Sequence, residues 1–341
     1  MEIMLQELLR WPQKLQQGVA LTDQVLAAHA ALLLVPYDKI AFVGMGGSGI
    51  AGRIFKTLLD RHTSVTTIVV DSPMVPLSID HRTLTFVISY SGNTWESLEA
   101  FSTLVKRKVP LVAISHGGTL QAYAQKCGIA HIKLPVALQP RTALGFFMGF
   151  FWQLFQQRGV VGIETMMQEW MQTADALLPE YSQKSAFADL LPLLVDLDMF
   201  HVWGVSDDSA SAAYRGATQF NENAKIQGVY SSFPELAHNL LVGFERVAQR
   251  PVVVWYQTTF QSENMNRAIQ SLHAILRDSG VDLYKVPVFG DTFGSQFFSM
   301  ILWTDFASFY LGHERGVDTQ RVRIIEELKQ RQQSSGIFVE V

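Results

Sequence analysis

The chain of 341 residues contains one cysteine, Cys127. A lone thiol excludes an internal disulfide and a zinc site built on cysteines, and it fits a reducing compartment. Charge is also scarce: Asp, Glu, Lys and Arg make up 17% of the residues, 31 acids against 27 bases, for a net charge of −4. That balance argues against a nucleic-acid protein that neutralises many phosphates. No apolar run is long enough for a bilayer. The most apolar stretch, Gly145 to Phe155, has about half of the roughly 20 residues a span needs, and is expected to be a helix buried between domains. The N-terminus lacks a basic region followed by an apolar core, and Glu2 and Glu7 do not suit a transit peptide. No membrane partner is expected, and a cytoplasmic location is.

Apolar residues are plentiful, at 48%. The length suits two domains of about 150–170 residues, each with a core of its own. Ile3, Leu5, Leu8, Leu9, Trp11 and Leu15 recur at helical spacing and predict an amphipathic first helix. Buried parallel strands are predicted at 39–43, 65–70, 84–88, 110–114 and 130–134, alternating with helices. Residues 141 to 195 read as mainly helical, with a domain transition near 155–165, where Gln156-Gln-Arg-Gly159 interrupts the apolar run. A second unit repeats the plan, with strands at 199–203, 251–256 and 283–287 and long helices around 294–312 and 319–333. The expected domains are 1–160 and 161–341. The fold class is α/β, each domain a parallel sheet with helices on both faces.

Two loops carry chemistry in the first half. Gly44-Met-Gly46-Gly-Ser-Gly49 follows a strand and opens a helix, and Asp71 lies 22 residues beyond at the end of the next strand. This spacing fits a dinucleotide fingerprint, so a nicotinamide-dependent oxidoreductase is a competitor. The physical content of the loop is broader. Glycines let backbone amides approach an anion, and the helix N-terminus favours negative charge, so any phosphate satisfies it. Ser89-Tyr-Ser-Gly-Asn-Thr94 follows the third strand and adds three hydroxyls to a string of amides. Together the loops favour a phosphomonoester; alone, the second fits an ordinary N-cap equally well. In the second half the corresponding loop is Ser206-Asp-Asp-Ser209, whose adjacent carboxylates repel an anion.

A third segment runs Phe220-Asn-Glu222-Asn-Ala-Lys225, then Phe233-Pro-Glu-Leu-Ala-His238-Asn. A carboxylate is the usual base for a proton next to a carbonyl, and a histidine exchanges protons near neutrality. By residue type alone, both also suit a solvated surface. His116 and His131 lie 15 residues apart on different elements and read as structural. No metal site is expected.

Taken together, Gly44–Gly49, Ser89–Thr94, Pro140-Arg141 with Leu144-Gly145, and Asn221-Glu-Asn-Ala-Lys225 through His238-Asn resemble the bifunctional phosphoglucose/phosphomannose isomerases, which are built from two sugar-isomerase (SIS) domains. The likeness continues into Ser308–Leu311 and Gly316–Asp318 and covers nearly the whole chain. The resemblance implies that Gly47, Ser48, Ser89, Ser91 and Thr94 hold a sugar phosphate. It further implies that Glu222 shuttles a proton between C1 and C2, that Arg141 stabilises the enediolate, and that His238, supplied by the partner in a homodimer, assists ring opening. Lys329 best matches a C-terminal site lysine. The substrate is then a hexose 6-phosphate: glucose 6-phosphate, fructose 6-phosphate and, through C2, mannose 6-phosphate. No cofactor is called for. The chain departs from the family pattern at Trp95, at Thr319 after Asp318, and in 152–172. A non-catalytic sugar-phosphate sensor is the other alternative; it would need the loops but not Glu222.

Overall fold

The computed structural model describes residues 2–245, 251–337 and 339. It divides into two compact units that exchange chain ends: residues 10–167 with 322–341, and residues 1–9 with 168–321. The N-terminal periodicity yields two helices, α1 (Glu2–Leu8) in the second unit and α2 (Trp11–Leu33) in the first. The break has a local cause. Pro12 lies in the first turn of α2, where a missing N–H costs nothing, but it cannot continue a preceding helix.

The first unit continues with β1 (Lys39–Gly44), α3 (Gly46–His62), β2 (Thr66–Val70), β3 (Thr83–Ile88), α4 (Trp95–Lys106), β4 (Leu111–Ser115), α5 (Gly118–Lys126) and β5 (Ala130–Lys133). All five strands are parallel, in the order β2-β1-β3-β4-β5. Alternate side chains face opposite layers. Ala41, Val43, Val87 and Ala113 pack with Leu98, Phe101 and Leu104 of α4 and Leu120 of α5. On the other face Phe42 and Phe86 meet Phe151, and Phe55 of α3 joins them. Phe151 belongs to α6 (Leu144–Gln157), which follows a 3₁₀ turn at Pro140–Ala143. The apolar run at 145–155 is therefore a buried helix whose aromatic face is spent on the sheet of its own unit.

The second unit holds α7 (Met166–Tyr181), α8 (Leu191–Leu194), β6 (Met199–Val205), α9 (Ala210–Gln219), β7 (Gln227–Phe233), β8 (Val252–Trp255), α10 (Glu263–Asp278), β9 (Asp282–Lys285) and α11 (Phe293–Glu314). The last helix, α12 (Arg323–Ser334), belongs to the first unit. The second sheet is also all parallel, in the order β7-β6-β8-β9. Trp203, Val253 and Trp255 pack against Ile269, Leu272 and Leu276 of α10, while from the other side Tyr284 stacks on Trp303 of α11 and Phe220 meets it edge-on. Strand β7 is absent from the sequence expectation. Its Gln-Gly-Val-Tyr-Ser-Ser-Phe is an edge strand, where half-exposed polar residues replace the apolar run of a buried one. No described helix is long and apolar enough to cross a membrane.

Candidate active site

In the first sheet the strand order reverses between β1 and β3, leaving a crevice at their carboxyl ends. Both chemically suggestive loops leave from these two ends. The turn out of β1 needs its glycines: a Cβ on Gly49 would lie 2.4 Å from the Gly44 carbonyl oxygen. The turn out of β3 needs Gly92, which has φ +70° and whose Cβ would lie 1.8 Å from the Gly117 carbonyl oxygen. Gly117 and Gly118 belong to a third loop, after β4, which sequence reasoning missed although its glycine pair was the signal. It braces the second loop: the Thr119 amide and hydroxyl both donate to Asn93 Oδ1 at 3.0 Å, and the Leu120 amide donates to the Gly92 carbonyl at 2.8 Å.

The hydroxyls of the two loops are tied into the chain by hydrogen bonds. The Tyr90 amide donates to Ser48 Oγ at 2.9 Å, so the two loops are joined and the Ser48 proton is left to point elsewhere. Buried Ser89 donates to Thr94 Oγ1 at 3.1 Å, and the Asn93 amide donates to Ser91 Oγ at 3.3 Å. Each of Ser48, Ser91 and Thr94 thus accepts a bond from the chain. Neither α3 nor α4 spends a side chain on capping its N-terminus, where Met45 and Thr94 stand at the N-caps. The two helix N-termini thus have first turns that no side chain caps, next to the hydroxyls of Ser48, Ser91 and Thr94, an arrangement whose charge and donors favour an anion.

Arg141 joins this group. It is 3% exposed, in the 3₁₀ turn, and its amide and Cα lie 3.2 and 3.3 Å from where a Cβ on Gly47 would stand. A side chain at 47 would therefore push Arg141 away. Asp71, the acid that a dinucleotide reading needs, is ion-paired with Arg53 of α3.

In the second unit Glu222 lies in a π-helical turn, Phe220–Ala224, that extends α9. The turn is pinned at three points. Asn221 Oδ1 accepts from the Gly228 amide at 2.7 Å, Asn223 donates to Ser308 Oγ at 2.9 Å, and the Asn223 carbonyl crosses α11 where Gly312 leaves room. Beneath it, Arg215 and Gln219 of α9 both bind the buried carboxylate of Asp305 on α11, Arg215 in bidentate form through Nε to Oδ1 at 3.1 Å and Nη2 to Oδ2 at 2.9 Å. This cluster went unnoticed in the sequence because its members are 86–90 residues apart. It holds α9 rigidly and so fixes where Glu222 starts. His238 is exposed, in a 3₁₀ turn at Glu235–His238. Glu222 precedes β7 and His238 follows it, so the seven residues of the strand, roughly 20 Å at about 3.3 Å each, stand between them. Lys329 is exposed on α12. Among the described residues no group of three or more His, Cys, Asp or Glu side chains could hold a metal ion.

A model of the SIS domain matches residues 33–154, and one of the bacterial phospho-glucose isomerase C-terminal SIS domain matches residues 193–331. With its two parallel sheets, the chain is a double SIS-domain protein of the sugar-phosphate isomerase class. It is 31% identical over 295 residues to the bifunctional phosphoglucose/phosphomannose isomerase of Thermoplasma volcanium, covering 86% of this chain and 91% of that protein. It is 30% identical over 297 residues to that of Thermoplasma acidophilum, covering 86% and 90%. The chain belongs to the bifunctional phosphoglucose/phosphomannose isomerase family. Among solved structures, tagatose-6-phosphate ketose/aldose isomerase from Escherichia coli has the same fold, with a TM-score of 0.72, 16% identity, and coverage of 92% of this chain and 94% of that one.

Proposed function

We propose that this protein interconverts glucose 6-phosphate and fructose 6-phosphate, and mannose 6-phosphate with the same ketose, through a shared cis-enediolate. What supports this reading most is the first switch point, where the Tyr90 amide bond to Ser48 joins the loops after β1 and β3 and the Arg141 backbone packs against Gly47. The N-terminal domain grips the phosphate through Gly47, Ser48, Ser91 and Thr94, with Ser89 acting through the bond it donates to Thr94, and the C-terminal domain carries Glu222 and His238. On the open-chain aldose, Glu222 removes the C2 proton, and the C1 carbonyl oxygen gains the charge. Arg141, always protonated, stabilises that charge. Transfer of the O2 hydroxyl proton to O1, with return of the carbon-bound proton to C1, gives the ketose; return to the opposite face of C2 gives the epimeric aldose. Lys329 is assigned to the same site.

His238 opens the pyranose ring in the site of a second copy. Its exposure, and the length of β7 between it and Glu222, support this assignment within a cytoplasmic homodimer. A mixed-dimer experiment tests it. Glu222→Gln and His238→Ala chains, each inactive alone, should regain activity when combined, because one site of the hybrid then receives both intact groups. No recovery places His238 in its own chain's site. The central test is a coupled assay on both aldose phosphates. Glu222→Gln should keep substrate affinity and lose at least about a hundredfold in kcat, the scale of a general base. Full activity would overturn the reading.

A further inference from the structure

We propose that Lys14 is a positioning residue for Arg141, an inference that rests on the isomerase reading above. Lys14 is 2% exposed on α2, and its ammonium donates to the Thr142 carbonyl at 2.9 Å. That carbonyl belongs to the residue directly after Arg141, inside the 3₁₀ turn. The stem of Lys14 is held in place. Its Cβ lies 2.7 Å from where a side chain on Gly145 would begin, so α2 reaches the turn because α6 opens with glycine there. Farther along the same two helices, a Cβ on Gly149 would lie 2.0 Å from the Leu15 carbonyl, and Thr22 donates to the Phe150 carbonyl at 2.9 Å. The approach of α2 is thus fixed by backbone contact and owes nothing to the ammonium.

Burying an ammonium is costly unless strong hydrogen bonds offset it, and an apolar chain of the same length would fill the same groove. What the ammonium adds is a hold on one peptide of the turn. The opposite side of that turn already rests on Gly47, and its entry is tied by the Gln139 amide donating to Thr142 Oγ1 at 3.2 Å. Lys14 supplies the third anchor and sets the direction in which the Arg141 backbone presents its side chain. Since Arg141 answers a charge that appears on the enediolate, a misdirected Arg141 shows up in kcat, while the phosphate cup maintains KM.

Steady-state kinetics on glucose 6-phosphate for wild type, Lys14→Met, Lys14→Arg, Arg141→Met and the Lys14→Met/Arg141→Met pair test this. Lys14→Met should lower kcat about tenfold or more and shift KM by less than about twofold. Protection against thermal unfolding by inorganic phosphate should remain that of wild type. Lys14→Arg should recover most of the lost kcat, and in the Arg141→Met background Lys14→Met should have no further effect. If Lys14→Met does not fold, Lys14→Gln, which stays polar but is one bond too short to reach the Thr142 carbonyl, takes its place with the same expectations. Unchanged kcat, additive losses in the pair, or a kcat loss that tracks thermal stability without rescue by arginine would each overturn the inference. An active wild type with an indifferent Lys14 variant sinks this inference alone. A wild type inactive on both aldose phosphates sinks the isomerase reading, and this inference with it.

Discussion

The two sheets have the same parallel plan, with β6 and β8 of the second standing where β1 and β3 stand in the first. Their switch points have opposite chemistry. In the first, glycines and hydroxyls leave an open cup. In the second, the Asp208 carboxylate, 4% exposed, accepts from the Thr258 amide at 3.1 Å and the Thr258 hydroxyl at 2.5 Å. Ser209 Oγ accepts from the Val205 amide at 2.9 Å and donates to the Tyr256 carbonyl at 2.7 Å. The donors that the proposed function gives to a phosphate in one unit are consumed in the other by a carboxylate of the chain itself. A repeated fold does not repeat a site: one acidic side chain turns a binding crevice into a structural joint.

The comparison breaks most easily at Gly92. Gly92→Ala forces a positive φ and a backbone overlap on the open cup. It should cost about 2–4 kcal/mol in chemical denaturation and abolish phosphate protection. A variant with wild-type stability and phosphate binding would mean that the loop adapts and the cup is not built as described. The sealed joint comes next. Asp208→Ala strips an acceptor from two buried donors on Thr258 and should cost about 1–3 kcal/mol, with phosphate affinity unchanged. A fall in phosphate affinity there would show that the second switch point also serves the ligand.

Much of the first unit was legible because its signals are local. The five predicted strands correspond to β1–β5 within a residue or two at each end, and both loops lie at the switch point. Each hydroxyl of the cup is wired to a partner within its loop or in the neighbouring one. The second unit was less legible because its defining contacts are distant. The sequence shows that Asp208 repels an anion but not that it replaces one, since Thr258 lies 50 residues on. The edge strand β7 lacks an apolar run, and Lys14 meets Thr142 across 128 residues. Pro12 was in plain view, yet the apolar spacing around it outweighed the break it imposes.

A finer probe of the open cup is Ser89→Ala with Thr94→Ala. It removes one hydroxyl pair from the crevice and spares the glycines and the bracing loop. Phosphate affinity should fall by about 1–2 kcal/mol while fold stability changes by less than about 1 kcal/mol. Equal losses in titration calorimetry and denaturation would make the pair a structural cap and shrink the contrast with Asp208.

The smallest expected difference between the units is one of pH. Burial, aided by Lys285, holds His273 on α10 down to about 4 from its ordinary 6.5, with its ring edge-on to Trp255 at 4.8 Å and its Nε2 buried without a partner. Burial also lowers His131 in the first unit, so the contrast is one of degree. A depressed folded-state pKa means that the unfolded chain binds the proton first. His273 therefore contributes full stability above pH 6.5, and that contribution is lost as pH falls toward 4. His273 is half-buried, so solvent screening limits the effect to on the order of 1 kcal/mol. Denaturation of wild type and His273→Phe at pH 7.5 and pH 5 measures it: the variant should lose less stability on acidification, and parallel losses would show that the acid sensitivity resides elsewhere. Phosphate binding over the same range should not distinguish the two proteins, because the group that titrates belongs to the unit that does not carry the proposed phosphate loops.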